Sequence, residues 1–491
     1  MESRRIPHIA IIGGGIAGLA AAHHLEELSR ERELPLRFTL LEASGRLGGT
    51  IGTEHRDGFL LEHGPDSFIS EKPWALALCR RMGLESELVG TQDQFRTTFV
   101  VHNGKLEPLP EGFMLLAPTR LGALVRSRIF SWPGKLRMGL DLVLPRAQQQ
   151  DDESLGSFVS RRLGREALER VAQPLIGGIY TADPDYLSLA ATMPRFLQME
   201  RDHRSVIYAL WQAGRKRPQD TKSASGARWS LFVTMQNGMQ HMVDTLVGRL
   251  SLGDVRLNCG ANAVLFQSGN TQGQDWHIDC QDGSSLQADG VVLATPAFQT
   301  ARLVRSCDTQ LADQLADISY SSAATVSLTY RREDIAHALN GFGFVVPAIE
   351  KRSIIAGTFS SIKYPGRAPE GHVLLRAFVG GTLQAEMFNL DDDEMEQVVR
   401  QELAALLGVQ AAPLFSRIAR YPQSMPQYLV GHLDRVAEIE QRVATQPGLA
   451  LAGNAYRGVG IADCVRSGEA AAKEILDQLS PVESSERIVN G

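Results

Sequence analysis

Gly13, Gly15 and Gly18 stand in a GxGxxG spacing directly after the run His8-Ile9-Ala10-Ile11-Ile12, and Glu42 closes a second apolar run at Leu40-Leu41. Glycines so placed let a chain turn tightly after a strand, bring backbone N–H groups close to a pyrophosphate, and seat the next helix with its positive end under the phosphates. Gly14, Ile16 and Ala17 complete the turn and open the helix, while Glu42, followed by Ala43, can hydrogen-bond a ribose hydroxyl. The chemistry is dinucleotide binding. No Ser/His/Asp constellation and no paired carboxylates ask for hydrolysis, so no catalytic side chain is named. The five cysteines, Cys79, Cys259, Cys280, Cys307 and Cys464, are dispersed without CxxC spacing, so free thiols and no metal site are expected.

The elements around these residues read as strand, glycine turn, helix and strand, a complete βαβ unit, and Leu60 to Ser67 reads as a further strand ending in a Gly64-Pro65 turn. Asp289 to Pro296 is a β-branched apolar run of the kind a buried parallel strand requires, and Leu449 to Tyr456 reads as another short buried strand. Alternating segments between Tyr320 and Gly381 predict an antiparallel sheet. The fold class expected is α/β plus α+β. A discontinuous Rossmann-type domain takes residues 1–70, 228–300 and 425–480, and a mixed-sheet domain takes 71–95 and 301–424. A mainly helical domain takes 96–227, and a disordered tail takes 481–491.

The 491 residues carry a formal net charge of −6, which disfavours nucleic acid as a partner. Neither a signal peptide nor an apolar run of membrane-spanning length is read, so a cytoplasmic protein is expected. The helical stretch interleaves Phe130, Trp132, Lys135 and Arg137, which fits either an interfacial surface resting on anionic lipid or an ordinary helical domain with solvated arginines.

Glu42-Ala43-Ser44-Gly45-Arg46-Leu47-Gly48-Gly49 resembles the extended fingerprint of FAD enzymes of the amine-oxidase-like superfamily. Gly64-Pro65-Asp66-Ser67-Phe68, Pro174 to Tyr180, Met193-Pro194-Arg195-Phe196, Met425-Pro426-Gln427-Tyr428 and Ala452 to Cys464 resemble, more narrowly, the FAD-dependent protoporphyrinogen and coproporphyrinogen oxidases. That resemblance implies FAD contacts at Gly13 to Gly18, Glu42, Ala43, Arg46, Gly49, Thr50, Gly64, Pro65, Asp66 and Ser67, near Ala263, and at Asn454, Val459, Gly460 and Ile461. It implies a propionate-binding arginine at Arg96, with Lys72 a second cation, although Arg96 on its own reads as a solvated strand residue. Phe378 would pack on a pyrrole, Leu328 and Ile355 would form the opposite wall, and Gly178 would leave room for the macrocycle.

The reaction implied is six-electron oxidation of protoporphyrinogen IX, with hydride passing from a meso carbon to flavin N5 and O2 as acceptor. Coproporphyrinogen III is the alternative; its four propionates against two should need more cations than Arg96 and Lys72. Other flavin oxidases, such as an amine oxidase or a carotenoid desaturase, and a non-catalytic flavoprotein also remain open. The implied partners are the porphyrinogen, O2, the inner face of a membrane, a metal chelatase taking the product, and a second copy of the chain in a homodimer.

Overall fold

The computed structural model describes residues 5–110, 113–114, 117–118, 121–147, 152–216, 230–267 and 275–479. β1 (His8–Ile12) is buried at every position and lies between β2 (Arg37–Leu41) and the strand Gly290–Leu293. Gly253–Arg256 and Leu449–Leu451 extend this into a five-stranded parallel sheet. Strands covered on both faces must be apolar throughout, and the one polar residue of β1, His8, bonds the Gln287 carbonyl and the Thr39 hydroxyl through its ring nitrogens. α1 (Ile16–Glu31) packs on the sheet and against the C-terminal helix Ile461–Leu479. The two helices approach so closely that a Cβ at Gly468 would lie 2.1 Å from the Ala17 carbonyl oxygen.

A second sheet has seven strands in the order 416–426, 320–331, 372–380, 356–359, 343–345, 98–102, 105–108. One face, with Val326, Leu328, Leu375 and Ala377, is closed by the helix Asp392–Leu407. The other face carries Arg376 and Phe378, because successive side chains of a strand alternate. A helical unit between residues 121 and 216 has its own core, with Phe158, Val171, Ile176 and Phe196 fully buried.

Three boundaries differ from those expected. Thr98–His102 and Lys105–Pro108 are strands of the seven-stranded sheet and not part of the helical unit, because Phe99 and Val101 point into one core and Val100 into the other. The helix Pro73–Arg81 buries Ala75, Leu78 and Cys79 against the parallel-sheet side, and Leu88–Gly90 pairs with Phe232–Met235, so 71–90 belongs with the dinucleotide unit. Helices Ala297–Val304 and Thr309–Ala316 likewise bury Ala301, Leu311 and Leu315 with Ala10 and Ile12 of β1. The expected tail, 481–491, lies outside the described residues.

Candidate functional site

The glycine turn sits at the carboxyl ends of the parallel strands. Gly13 holds φ +109° and donates its amide to the Leu41 carbonyl at 2.8 Å, and a Cβ there would meet the Ala294 oxygen at 2.7 Å. A Cβ at Gly18 would lie 1.9 Å from the Gly13 oxygen, whereas one at Gly15 meets nothing within 4 Å. Gly15 caps α1 without a side-chain hydrogen bond, and Ile16 and Ala17 behind it are buried. A buried, uncapped helix N-terminus beside open space is suited to an anion, so the residues present fit a dinucleotide pyrophosphate.

The Glu42 carboxylate is fixed at the end of β2: Gly14 donates its amide at 2.7 Å, and Ser44 donates its amide and hydroxyl at 2.8 and 2.7 Å. Arg46 donates to the carbonyls of Gly49, at 2.8 Å, and Ile51, while the Gly48 amide donates to Gly14 O at 2.8 Å. These bonds lay the loop carrying Gly49 and Thr50 across the glycine turn, so the Arg46 guanidinium holds backbone here. Ala263 stands half-buried on the edge strand Ala261–Phe266, and Ala43 is exposed.

At the mouth of the C-terminal helix the chain 453–460 is scaffolded by Tyr428. Its hydroxyl donates to the Asn454 carbonyl at 2.6 Å and accepts the Gly458 amide at 2.8 Å, and its ring stacks on His432 with centroids 4.0 Å apart. Burial pushes the Tyr428 phenol far above its ordinary range, so it stays a donor. Gly460 is exposed, Val459 half-buried, and Ile461 begins the helix. In the first helical turn Asp463, nearly buried, accepts from Lys72 Nζ at 2.6 Å.

The Gly64-Pro65 turn lies against the same loop, since a Cβ at Gly64 would fall 1.8 Å from Thr50 O. Arg376, reaching from the seven-stranded sheet, donates Nη2 to the His63 and Gly64 carbonyls at 2.6 and 2.5 Å. Asp66 accepts from Ser67 Oγ at 2.6 Å and pairs with Lys363 at 3.3 Å. Burial would raise the Asp66 carboxyl, but Lys363 and Arg376 outweigh it and bring its pKa to about 2. Glu62 shows the opposite balance: desolvation dominates and raises it to about 7, although the Thr53 hydroxyl and the Met239 amide donate to it at 2.7 and 2.8 Å.

A carboxyl whose folded pKa of about 7 exceeds its ordinary 4.5 keeps a proton in the native state that the unfolded chain has lost. Its contribution to stability is therefore fully present below 4.5 and is lost as pH rises through 7. Glu62→Gln should flatten the stability profile across that window, removing a slope worth on the order of 3 kcal/mol at most. Melting temperatures measured across the window check this, and a profile superimposable on the parent's would place the slope elsewhere.

Of the residues expected to meet the substrate, the structure brings together Phe378, Ile355 and the neighbourhood of Gly178. The Ile355 amide donates to the Phe378 carbonyl at 2.9 Å, and Ile355 lines a small recess of about 20 Å³ with Pro174, Gly177 and Gly380. Gly178 itself is exposed, and a Cβ there meets nothing within 4 Å. Leu328 does not join them. It pairs with Leu375 on the face covered by the helix Asp392–Leu407 and is fully buried, so it is core and not a wall opposite Phe378. Arg96 precedes the strand Thr98–His102 with its side chain 64% exposed, and its one ion-pair partner among the described residues is Asp93 at 3.8 Å.

Sequence reasoning missed Arg376, Tyr428 and Asp463 as organisers of the site. The signal was present for Arg376, a charged residue inside the apolar run Val373 to Val379, which a sheet face packed against apolar neighbours would exclude unless the guanidinium had partners.

A family model described as flavin containing amine oxidoreductase matches residues 16–476. The chain belongs to that family. It is a flavoprotein oxidoreductase. The coproporphyrinogen III oxidase of Bacillus subtilis (strain 168) is 35% identical, covering 96% of this chain and 98% of the relative. The chloroplastic protoporphyrinogen oxidase of Nicotiana tabacum is 29% identical, covering 96% and 85%. A solved structure from Exiguobacterium sp. 255-15, provisionally named a protoporphyrinogen oxidase, superposes with TM-score 0.83 at 31% identity over 97% of this chain and 100% of that one. Putrescine oxidase structures, at 17–18% identity and TM-scores of 0.62–0.66, share the fold.

Proposed function

We propose that the protein oxidises a porphyrinogen to the porphyrin, with coproporphyrinogen III the first substrate to test and protoporphyrinogen IX the alternative. The observation that carries this reading is Phe378 on the sheet face opposite Leu328, packed toward the helical unit whose helix is open at Gly178, with exposed Arg96 and the Asp463-paired Lys72 as cations for carboxylates. The named relatives with the higher identities act on coproporphyrinogen III, which is why that substrate leads. When bound, FAD supplies the hydride acceptor. The chain supplies positioning: Gly15 and the α1 N-terminus for the pyrophosphate, Glu42 for the ribose, and the scaffolded 454–461 segment for the flavin edge. No side chain is assigned as a general base.

Anaerobic mixing with each porphyrinogen tests the reading. Flavin bleaching, followed in air by a Soret band, is expected, with O2 consumed and peroxide formed. A silent flavin with both porphyrinogens would overturn it, and the ratio of the two kcat/KM values decides the substrate.

A second reading concerns membranes. No helix among the described residues is long and apolar enough to cross one. Trp132, Leu136, Leu140 and Val143 nevertheless form a ridge exposed by 64, 72, 48 and 66%, and Lys135 lies 4.7 Å over the Trp132 ring. Two expected contributors are absent from it. Phe130 is buried and stacked on Phe113, and Arg137 donates to the carbonyls of Ser160, Arg161 and Arg162. We infer that this ridge rests on an anionic lipid surface. Cosedimentation with anionic vesicles at low salt is expected, and Trp132→Ser with Leu136→Ser should abolish it. Parent protein left in the supernatant would reduce the ridge to surface of an ordinary helical unit.

A further inference from the structure

We propose that Cys259, Cys280 and Asp282 form a binding site for one thiophilic divalent cation of the zinc class, against the backbone that carries the ribose-side acid Glu42. Dispersed in sequence, the three residues converge in space, and one donor atom from each lies within 4.8 Å of the others. Both cysteines are nearly buried and free, and Asp282 reaches solvent.

The convergence is built into the backbone. The Cys280 amide donates to Ser284 O at 2.9 Å and the Gly283 amide to Cys280 O at 3.1 Å, which closes the hairpin turn between Trp276–Cys280 and Ser285–Ala288. The passing chain is pinned to that turn by the Gln281 amide donating to Gly260 O at 2.7 Å. A Cβ at Gly260 would meet the Gln281 side-chain amide, with Oε1 at 2.6 Å, so the two segments lie in close contact here. Asp282 is held at the turn by bonds of the kind that orient a ligand: Oδ1 accepts the Ser284 amide at 2.9 Å and its hydroxyl at 2.6 Å.

Tetrahedral zinc bonds sulfur at about 2.3 Å and carboxylate oxygen at about 2.0–2.2 Å, which sets two ligand sulfurs about 3.8 Å apart. Side-chain rotations that move donor atoms by about 1 Å close the site, with water completing four ligands. A soft donor pair beside one carboxylate excludes magnesium and calcium, which take oxygen shells. The site also reaches the cofactor. The Cys259 amide donates to Glu42 O at 2.9 Å and the Asn258 amide to Ser44 O at 3.0 Å, so a cation that stiffens 258–260 stiffens the ribose-holding residue.

The test uses the reduced FAD-loaded protein and cadmium or zinc chloride. Equilibrium dialysis should give one cation per chain, and cadmium should add a sulfur-to-metal charge-transfer band in the difference spectrum. Cys259→Ser and Cys280→Ser should each weaken binding by roughly a hundredfold and Asp282→Asn by roughly tenfold, while Cys307→Ser, altering a thiol bonded to Val264 O, should leave it unchanged. Zinc should slow FAD release several-fold in the parent and not in Cys259→Ser. Should a cysteine variant fail to fold, the exposed Asp282→Asn still reports. Stoichiometry below one, equal affinity in all three variants, or loss of two titratable thiols to a disulfide before metal is added would overturn the proposal.

Discussion

A Gly15→Val protein should fold at close to parental stability and carry almost no FAD, whereas Gly18→Val should not accumulate as a folded protein. The two glycines lie three residues apart in one turn, yet their surroundings differ. A Cβ at Gly15 meets nothing within 4 Å, and the backbone there, at φ −72°, suits any residue. The cost of valine falls on what occupies that space, because its methyl groups would stand where an anion meets the α1 N-terminus. Losing two charge-assisted hydrogen bonds, at about 1.5–3 kcal/mol each, would lower cofactor affinity roughly a hundredfold to ten-thousandfold. A Cβ at Gly18 would overlap the Gly13 carbonyl oxygen at 1.9 Å, so α1 would have to leave the turn that β1 feeds, and the α1 packing on the C-terminal helix would go with it. The flavin-to-protein absorbance ratio and the melting temperature of apoprotein read the two effects separately. Full flavin content in Gly15→Val would refute the pyrophosphate assignment.

Arg96→Ala should raise KM for the porphyrinogen by roughly tenfold to a hundredfold and leave kcat nearly unchanged, the worth of a charge-assisted pair of about 1.5–3 kcal/mol. Its exposed guanidinium has Asp93 at 3.8 Å as its ion-pair partner among the described residues, a pair too long and too solvated to hold it. It is therefore available to a propionate remote from the carbon that loses hydride, and an interaction equal in ground and transition states is lost as uniform binding. Arg96→Lys should recover part of the loss, since charge survives and the bidentate fork does not. Lys72 differs, because a substrate carboxylate would have to draw it from Asp463 at 2.6 Å. An unchanged KM in Arg96→Ala with full FAD content would move the carboxylate contact to Lys72, and Lys72→Met would then carry the KM effect.

What the sequence determined by itself was the part of the protein whose chemistry is local. A glycine turn between two buried strands and an acid closing the second are set by spacing along a short piece of chain, and the apolar runs at 290–293 and 449–451 declare strands of a covered sheet. The helix start at Gly460-Ile461 was legible for the same reason. Tertiary structure alone decided which face of the seven-stranded sheet looks to the site. Phe378 and Leu328 are both apolar strand residues, and only the placement of the helix Asp392–Leu407 over Leu328 makes one a core residue and leaves the other facing the helical unit. It also decided the charged residues. Arg376, Arg137 and Lys363 look alike in sequence, but their long side chains end on the Gly64 turn, on the last carbonyls of a helix, and on Asp66, partners that lie far away along the chain. Cys259 and Cys280 meet for the same reason. Spacing reports what neighbours in the chain can do, and the donor sets that come from crossing segments exist only once the sheets have paired.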